Sequence, residues 1–141
     1  MTINFDMDGT IANLYKGEWL KELERHSTKP YETAEPLLNL NTLARLLNEL
    51  QAKGNEINII SWLAKNSTTE YDEAVTKAKK KWLSVHLNSV KFNHIYIVPY
   101  GTSKKSLSNG ILFDDEEHNR IEWGVGAYDV NNIIEVLKAL R

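Results

Sequence analysis

A chain of 141 residues fits one domain with a real core and is too short for two. Its 42% hydrophobic and 26% charged residues, with a net charge of −2, describe an ordinary globular protein. They give no reason to expect a nucleic-acid polymer or a membrane as partner. The lack of cysteine excludes a disulfide staple, a thiol nucleophile and a Cys-ligated zinc. No run approaches the roughly 18 apolar residues of a membrane span. A first strand starting at Thr2 leaves no room for a signal peptide, so the expected address is the cytoplasm.

The short β-branched run TINF, residues 2–5, predicts a buried strand that leads straight into DMDGT. Residues 13–38 break the strand–helix rhythm. KGEWLKELERH reads as a short amphipathic helix with Trp19, Leu20 and Leu23 together, and STKPYETAEP carries two prolines and little periodicity. This stretch is expected to be a small cap insertion with Tyr15, Trp19 and Tyr31 forming its core. Leu40, Leu43, Leu47 and Leu50 then keep helical spacing up to a stop at Gly54.

EINII, residues 56–60, predicts the second strand, with Ser61 at its end. Ser67 to Glu70 has the form of a capping box, and Val75, Ala78, Trp82 and Val85 mark one face of the helix that follows. The lysines of KAKKKW, residues 77–82, read as its solvated face. Further strands are expected at HIYIVPY (94–100), GILFDD (110–115) and, more weakly, GAYDV (126–130). A last helix carries Ile133, Leu137 and Leu140, with Asn131 or Asn132 as its cap. Alternation of this kind predicts a single α/β domain over 1–141. It is a three-layer, Rossmann-like parallel sheet of about five strands with helices on both faces.

Ligands of such sheets collect at the carboxyl ends of the strands. Asp6 with Asp8, Ser61, Lys104 or Lys105, and Asp114 with Asp115 all fall there. Residues i and i+2 of an extended segment point to one side, so Asp6 and Asp8 can face one substrate. Close carboxylates need a cation between them or a proton on one, and Asp114 can complete an oxygen cage for Mg²⁺. Gly9 permits tight backbone curvature beside a ligand, while Ser61 and a lysine supply donors for an anion. Taken singly, DMDG reads as a turn, DDEE as an acidic loop, Ser61 as a helix cap and the lysines as surface charge. Their meeting at one sheet edge turns the odds. Trp62 is placed to stack on a base or sugar. The four histidines show no metal-ligand spacing and are expected on surfaces, with Asn119 and His118 close enough to Asp114 to support it.

The ordered set DMDGT, IISW, Lys104 and ILFDD resembles the four motifs of the haloacid dehalogenase-like superfamily over nearly the whole chain. That resemblance implies phosphoryl transfer through an aspartyl-phosphate. Asp6 would be the nucleophile and Asp8 the general acid and base. Mg²⁺ would be held by Asp6, the Asp8 backbone carbonyl and Asp114. Ser61 and Lys104, with Trp62 beside them, would hold the phosphoryl group, and Thr10 would support the motif loop. Lys105 competes with Lys104, and Asp115 stands beside the metal or binds it through water. An acid at position 8 points to a phosphatase or phosphotransferase rather than a dehalogenase. The short insertion and the ILFDD ending look most like the deoxyribonucleotidase-type branch with a reduced cap. The expected activity is therefore hydrolysis of a small phosphorylated substrate, a nucleoside monophosphate. The alternatives are a sugar phosphate or other phosphometabolite and, less favoured, a phospho-receiver or a binding protein. So small a cap leaves the pocket open to cover by a second subunit of a homodimer or by a large substrate.

Overall fold

In the computed structural model, which describes all 141 residues, strands and helices alternate along the chain. The first half contains β1 (Thr2–Phe5), β2 (Ala12–Asn13), α1 (Trp19–Glu24), α2 (Lys29–Glu32), β3 (Glu35–Pro36), α3 (Leu40–Ala52) and β4 (Glu56–Trp62). The second contains α4 (Thr69–His86), β5 (His94–Val98), β6 (Ile111–Phe113), α5 (Glu117–Trp123), β7 (Ala127–Tyr128) and α6 (Ile133–Leu140). Five strands form one all-parallel sheet in the order β5-β4-β1-β6-β7. This is the expected α/β, Rossmann-like arrangement, with β1 at its centre.

Strand alternation divides the side chains between two layers. Ile3 pairs in register with Ile57 and Ile111, and Phe5 with Ile59 and Phe113. These residues meet Leu43, Leu46, Leu47 and Leu50 of α3, Trp82 and Leu83 of α4, and Ile133 and Leu137 of α6 in the main core. Ile60 and Leu112 meet Trp123 of α5 in a smaller cluster. The sheet is thus covered on both faces, as parallel sheets require.

Several local expectations move. Helix α4 is capped by Thr68, whose side chain accepts from the Tyr71 N–H at 3.2 Å, one residue later than the box beginning at Ser67. Val85 is 62% exposed, not part of the buried face. At 100° per residue the buried stripe is Tyr71, Val75, Ala78, Lys79, Trp82 and Leu83, and Val85 lies on its flank. Helix α5 follows the acidic pair almost directly, in a stretch for which the sequence predicts no element. Asn119 and Trp123, four residues apart, form its inner face.

The insertion stands on a small antiparallel ribbon in which Ala12 pairs with Pro36 and Asn13 with Glu35. Tyr31 of α2 is buried with Leu14 against Tyr71, Val75 and Ala78 of α4. By contrast, α1 buries none of its residues. Tyr15 is exposed and Trp19 half-buried, so of the three aromatics expected to form the insertion's core only Tyr31 does.

Candidate active site

The Asp6 N–H still donates to the Phe113 carbonyl at 2.9 Å, which fixes the end of β1 against β6. The chain then turns sharply. The N–H groups of Thr10, Ile11 and Ala12 all donate to the Met7 carbonyl, and Gly9 N–H donates to the Ala12 carbonyl at 2.9 Å. Gly9 takes φ +82°, and a Cβ there would collide with the Asp115 carboxylate and press on the Tyr15 ring. Only glycine fits this turn.

Two buried lysines organise the acids. Lys104 lies in a single 3₁₀ turn after β5 and bonds Asp6 Oδ1 at 2.8 Å and Asp114 Oδ2 at 2.7 Å. Asp6 Oδ2 accepts from the Thr10 hydroxyl at 2.9 Å. Asp114 is fully buried; its Oδ1 accepts from the Glu116 N–H at 2.9 Å and its Oδ2 also from the Asn119 amide at 3.1 Å. Lys79 comes from α4 and donates to Asp8 Oδ2 at 2.9 Å, Ser61 Oγ at 2.7 Å and the Trp62 carbonyl at 2.6 Å.

Charge and burial compete throughout this group. Burial pushes the Asp8 carboxyl above the ordinary aspartate range, against the opposing pull of Lys79. Burial and the neighbouring Asp6 push Asp114 up to about 6. Asp115 rises to about 8, through burial first and then through its interaction with Asp6. For Lys104, burial disfavours the ammonium, but the carboxylates of Asp6 and Asp114 outweigh it and hold the group above the usual lysine value. Four carboxylates face two ammonium groups, which leaves an excess of negative charge.

Asp6, Asp114 and Asp115 each offer a carboxylate oxygen, all within 4.8 Å of one another. Hard, crowded oxygen donors of this kind suit a hard divalent cation such as Mg²⁺. Asp115 supplies the third carboxylate of this group. The carboxylate of Asp8 is not a member, because it is turned to Lys79.

Above the acids opens a cleft of about 600 Å³, reached by Asp6, Asp8 and Lys104 from below. Aromatic rings supply much of its wall. Trp19 meets Tyr15 edge-on at 4.9 Å from the insertion side, and Trp62 meets Tyr100 at 5.0 Å from the sheet side. The Trp62 indole N–H is committed to the Thr102 carbonyl at 2.9 Å, and its ring lies 5.5 Å from Lys104 Nζ. What Trp62 offers a ligand through its side chain is therefore a ring face.

Of the residues named from sequence, Asp6, Asp8, Thr10, Ser61, Lys104, Asp114 and Asp115 all converge here, with Gly9 in the turn and Asn119 behind Asp114. Lys105 is exposed, so Lys104 is the lysine brought to the acids. His26, His94 and His118 are exposed and His86 is half-buried against Trp82. Lys79 is the residue the sequence reading missed. It had been assigned to a solvated face and is completely buried. Its signal was positional: it follows Val75 by four residues and precedes Trp82 by three, inside the apolar stripe.

No family model matches the chain, and no curated protein matches it in sequence. No helix is long and apolar enough to cross a membrane.

Proposed function

We propose that this chain is a Mg²⁺-dependent phosphomonoesterase of the haloacid dehalogenase-like kind, acting on a nucleoside monophosphate. One observation carries the reading: Asp6 meets Asp114, Asp115 and Lys104 beneath a cleft that Asp6, Asp8 and Lys104 line, on the carboxyl edge of a parallel sheet.

In this reading an Asp6 carboxylate oxygen attacks phosphorus while the ester P–O bond breaks, giving an aspartyl-phosphate. Asp8, with its carboxyl held above the ordinary range, delivers a proton to the departing alkoxide. Asp8 then takes a proton from a water that attacks the same phosphorus, which releases inorganic phosphate and restores Asp6. Lys104, which lines the cleft, offsets the charge on Asp6 and faces the phosphoryl group, while Ser61, fully buried, accepts from the same Lys79 that holds Asp8. Asp6, Asp114 and Asp115 would hold Mg²⁺, which supplies electrostatic relief for the charge of the phosphoryl group. The aromatic wall favours a base-bearing substrate over a sugar phosphate, which has no ring to set against Trp19 or Trp62.

The test is turnover of p-nitrophenyl phosphate and a panel of nucleoside monophosphates with Mg²⁺. Asp6→Asn is expected to abolish it. Full activity in Asp6→Asn would rule this mechanism out.

A further inference from the structure

Lys79 is a fully buried ammonium in the middle of an apolar helix stripe. A methionine or leucine there would extend the stripe at no electrostatic cost, whereas an ammonium must be fully compensated. The compensation is complete: a lysine carries three N–H donors, and all three have acceptors, on Asp8, Ser61 and the Trp62 carbonyl. With no exposed surface, Lys79 does not touch anything in the cleft. It reaches the site only through those partners.

Two of the partners have separate tasks. Asp8 lines the cleft beside Asp6, while Ser61 is the buried penultimate residue of β4. One point charge sits between them, within 2.9 Å of each. Ser61 accepts from Lys79 through its hydroxyl oxygen. Asp8 is bound through Oδ2 alone, which leaves Oδ1 for other work. Tyr31 closes the pocket from the insertion side, its ring centre 5.2 Å from the ammonium.

We propose that Lys79 is a positioning residue that ties Asp8 to Ser61 and the end of β4, so that the group delivering a proton to the leaving oxygen is held on a fixed anchor. This rests on the phosphomonoesterase reading above. In the step concerned, a bond forms from Asp6 oxygen to phosphorus, the ester P–O bond breaks, and the leaving oxygen takes its proton from Asp8. A leaving group that is stable as an anion does not need that proton.

The experiment compares kcat/KM of the full chain and Lys79→Met on p-nitrophenyl phosphate and on a simple alkyl phosphate. General-acid catalysis is worth about two to four orders of magnitude. Misplacing Asp8 is therefore expected to lower the alkyl rate about tenfold or more beyond any fall in the aryl rate. A buried lysine that only supports folding would lower both substrates alike, and an unchanged alkyl-to-aryl ratio overturns the proposal. If Lys79→Met does not fold, Lys79→Gln, which keeps two N–H donors, is read for the same selective loss, and an unchanged ratio there is equally fatal. If the unaltered chain hydrolyses neither substrate, the phosphatase reading itself fails and the Lys79 assignment falls with it. That result is distinct from an active enzyme whose ratio Lys79 does not move.

Discussion

At the site Lys104 is bonded to two carboxylates and Lys79 to three acceptors, and Asp114 alone accepts from Lys104, Asn119 and the Glu116 N–H. In the insertion, by contrast, α1 buries no residue and its ion pairs, Lys21 with Glu18 and Arg25 with Glu22, lie at the surface. Exposed pairs of that kind contribute about 0–1 kcal/mol each. Breaking one partner of a buried pair costs about 3–5 kcal/mol. The floor is thus held by several interlocking constraints and the insertion by few, which suits a rigid reaction centre beneath a segment free to adapt to a substrate.

The sharpest way to break the floor is at its turn. Gly9→Ala forces a side chain into a left-handed φ, which costs about 1–3 kcal/mol. It also drives a methyl group into the Asp115 carboxylate. Both stability and turnover are expected to fall, read by thermal melting and by the aryl phosphate assay. If Gly9→Ala retained the melting temperature and rate of the unaltered chain, the turn would not be the constraint described.

A smaller effect comes from the charge excess. Burial pushes the carboxyls of Asp114 and Asp115 above the ordinary aspartate range, to about 6 and about 8. Between the ordinary range and those values the folded state binds more protons than the unfolded one, so without metal their contribution to stability falls as pH climbs from about 4 to about 8. A divalent cation bound by these acids would replace those protons. Mg²⁺ should therefore raise the melting temperature most near pH 8 and little near pH 5. A shift of equal size at both pH values, or none at pH 8, would remove Mg²⁺ from the acidic cluster.

The contrast between the two regions also explains what could be read from sequence. Asp6, Asp8, Ser61 and Asp114 were legible because each ends a short apolar strand, and a parallel sheet gathers strand ends at one edge. Lys104 was legible as a charge between two such strands, although its rivalry with Lys105 needed the 3₁₀ turn to resolve it. Lys79 was hidden because a run of charges in KAKKKW suggests solvent, while a helix turns 100° per residue and buries one member of the run. Helix α5 was hidden by acidic residues at its start, with only Asn119 and Trp123 turned inward. In the insertion, short segments and scattered aromatics carry no periodicity, so nothing local separated a core tyrosine, Tyr31, from cleft-lining Tyr15 and Trp19.

The mildest perturbation tests the insertion alone. Trp19 lies in α1, which has no buried residue, and meets Tyr15 edge-on at the cleft wall. Trp19→Ala should lower stability by about 0.5–1.5 kcal/mol, the worth of its half-buried ring against Tyr15. If the ring contacts the base of a nucleoside monophosphate, losing an aromatic pair worth about 0.5–1.5 kcal/mol raises KM for that substrate up to about tenfold. The kcat should hold, because the acids, Lys104 and Lys79 are untouched. An unchanged KM would move the base away from the insertion, and a fall in kcat instead would mean that α1 takes part in ordering the floor.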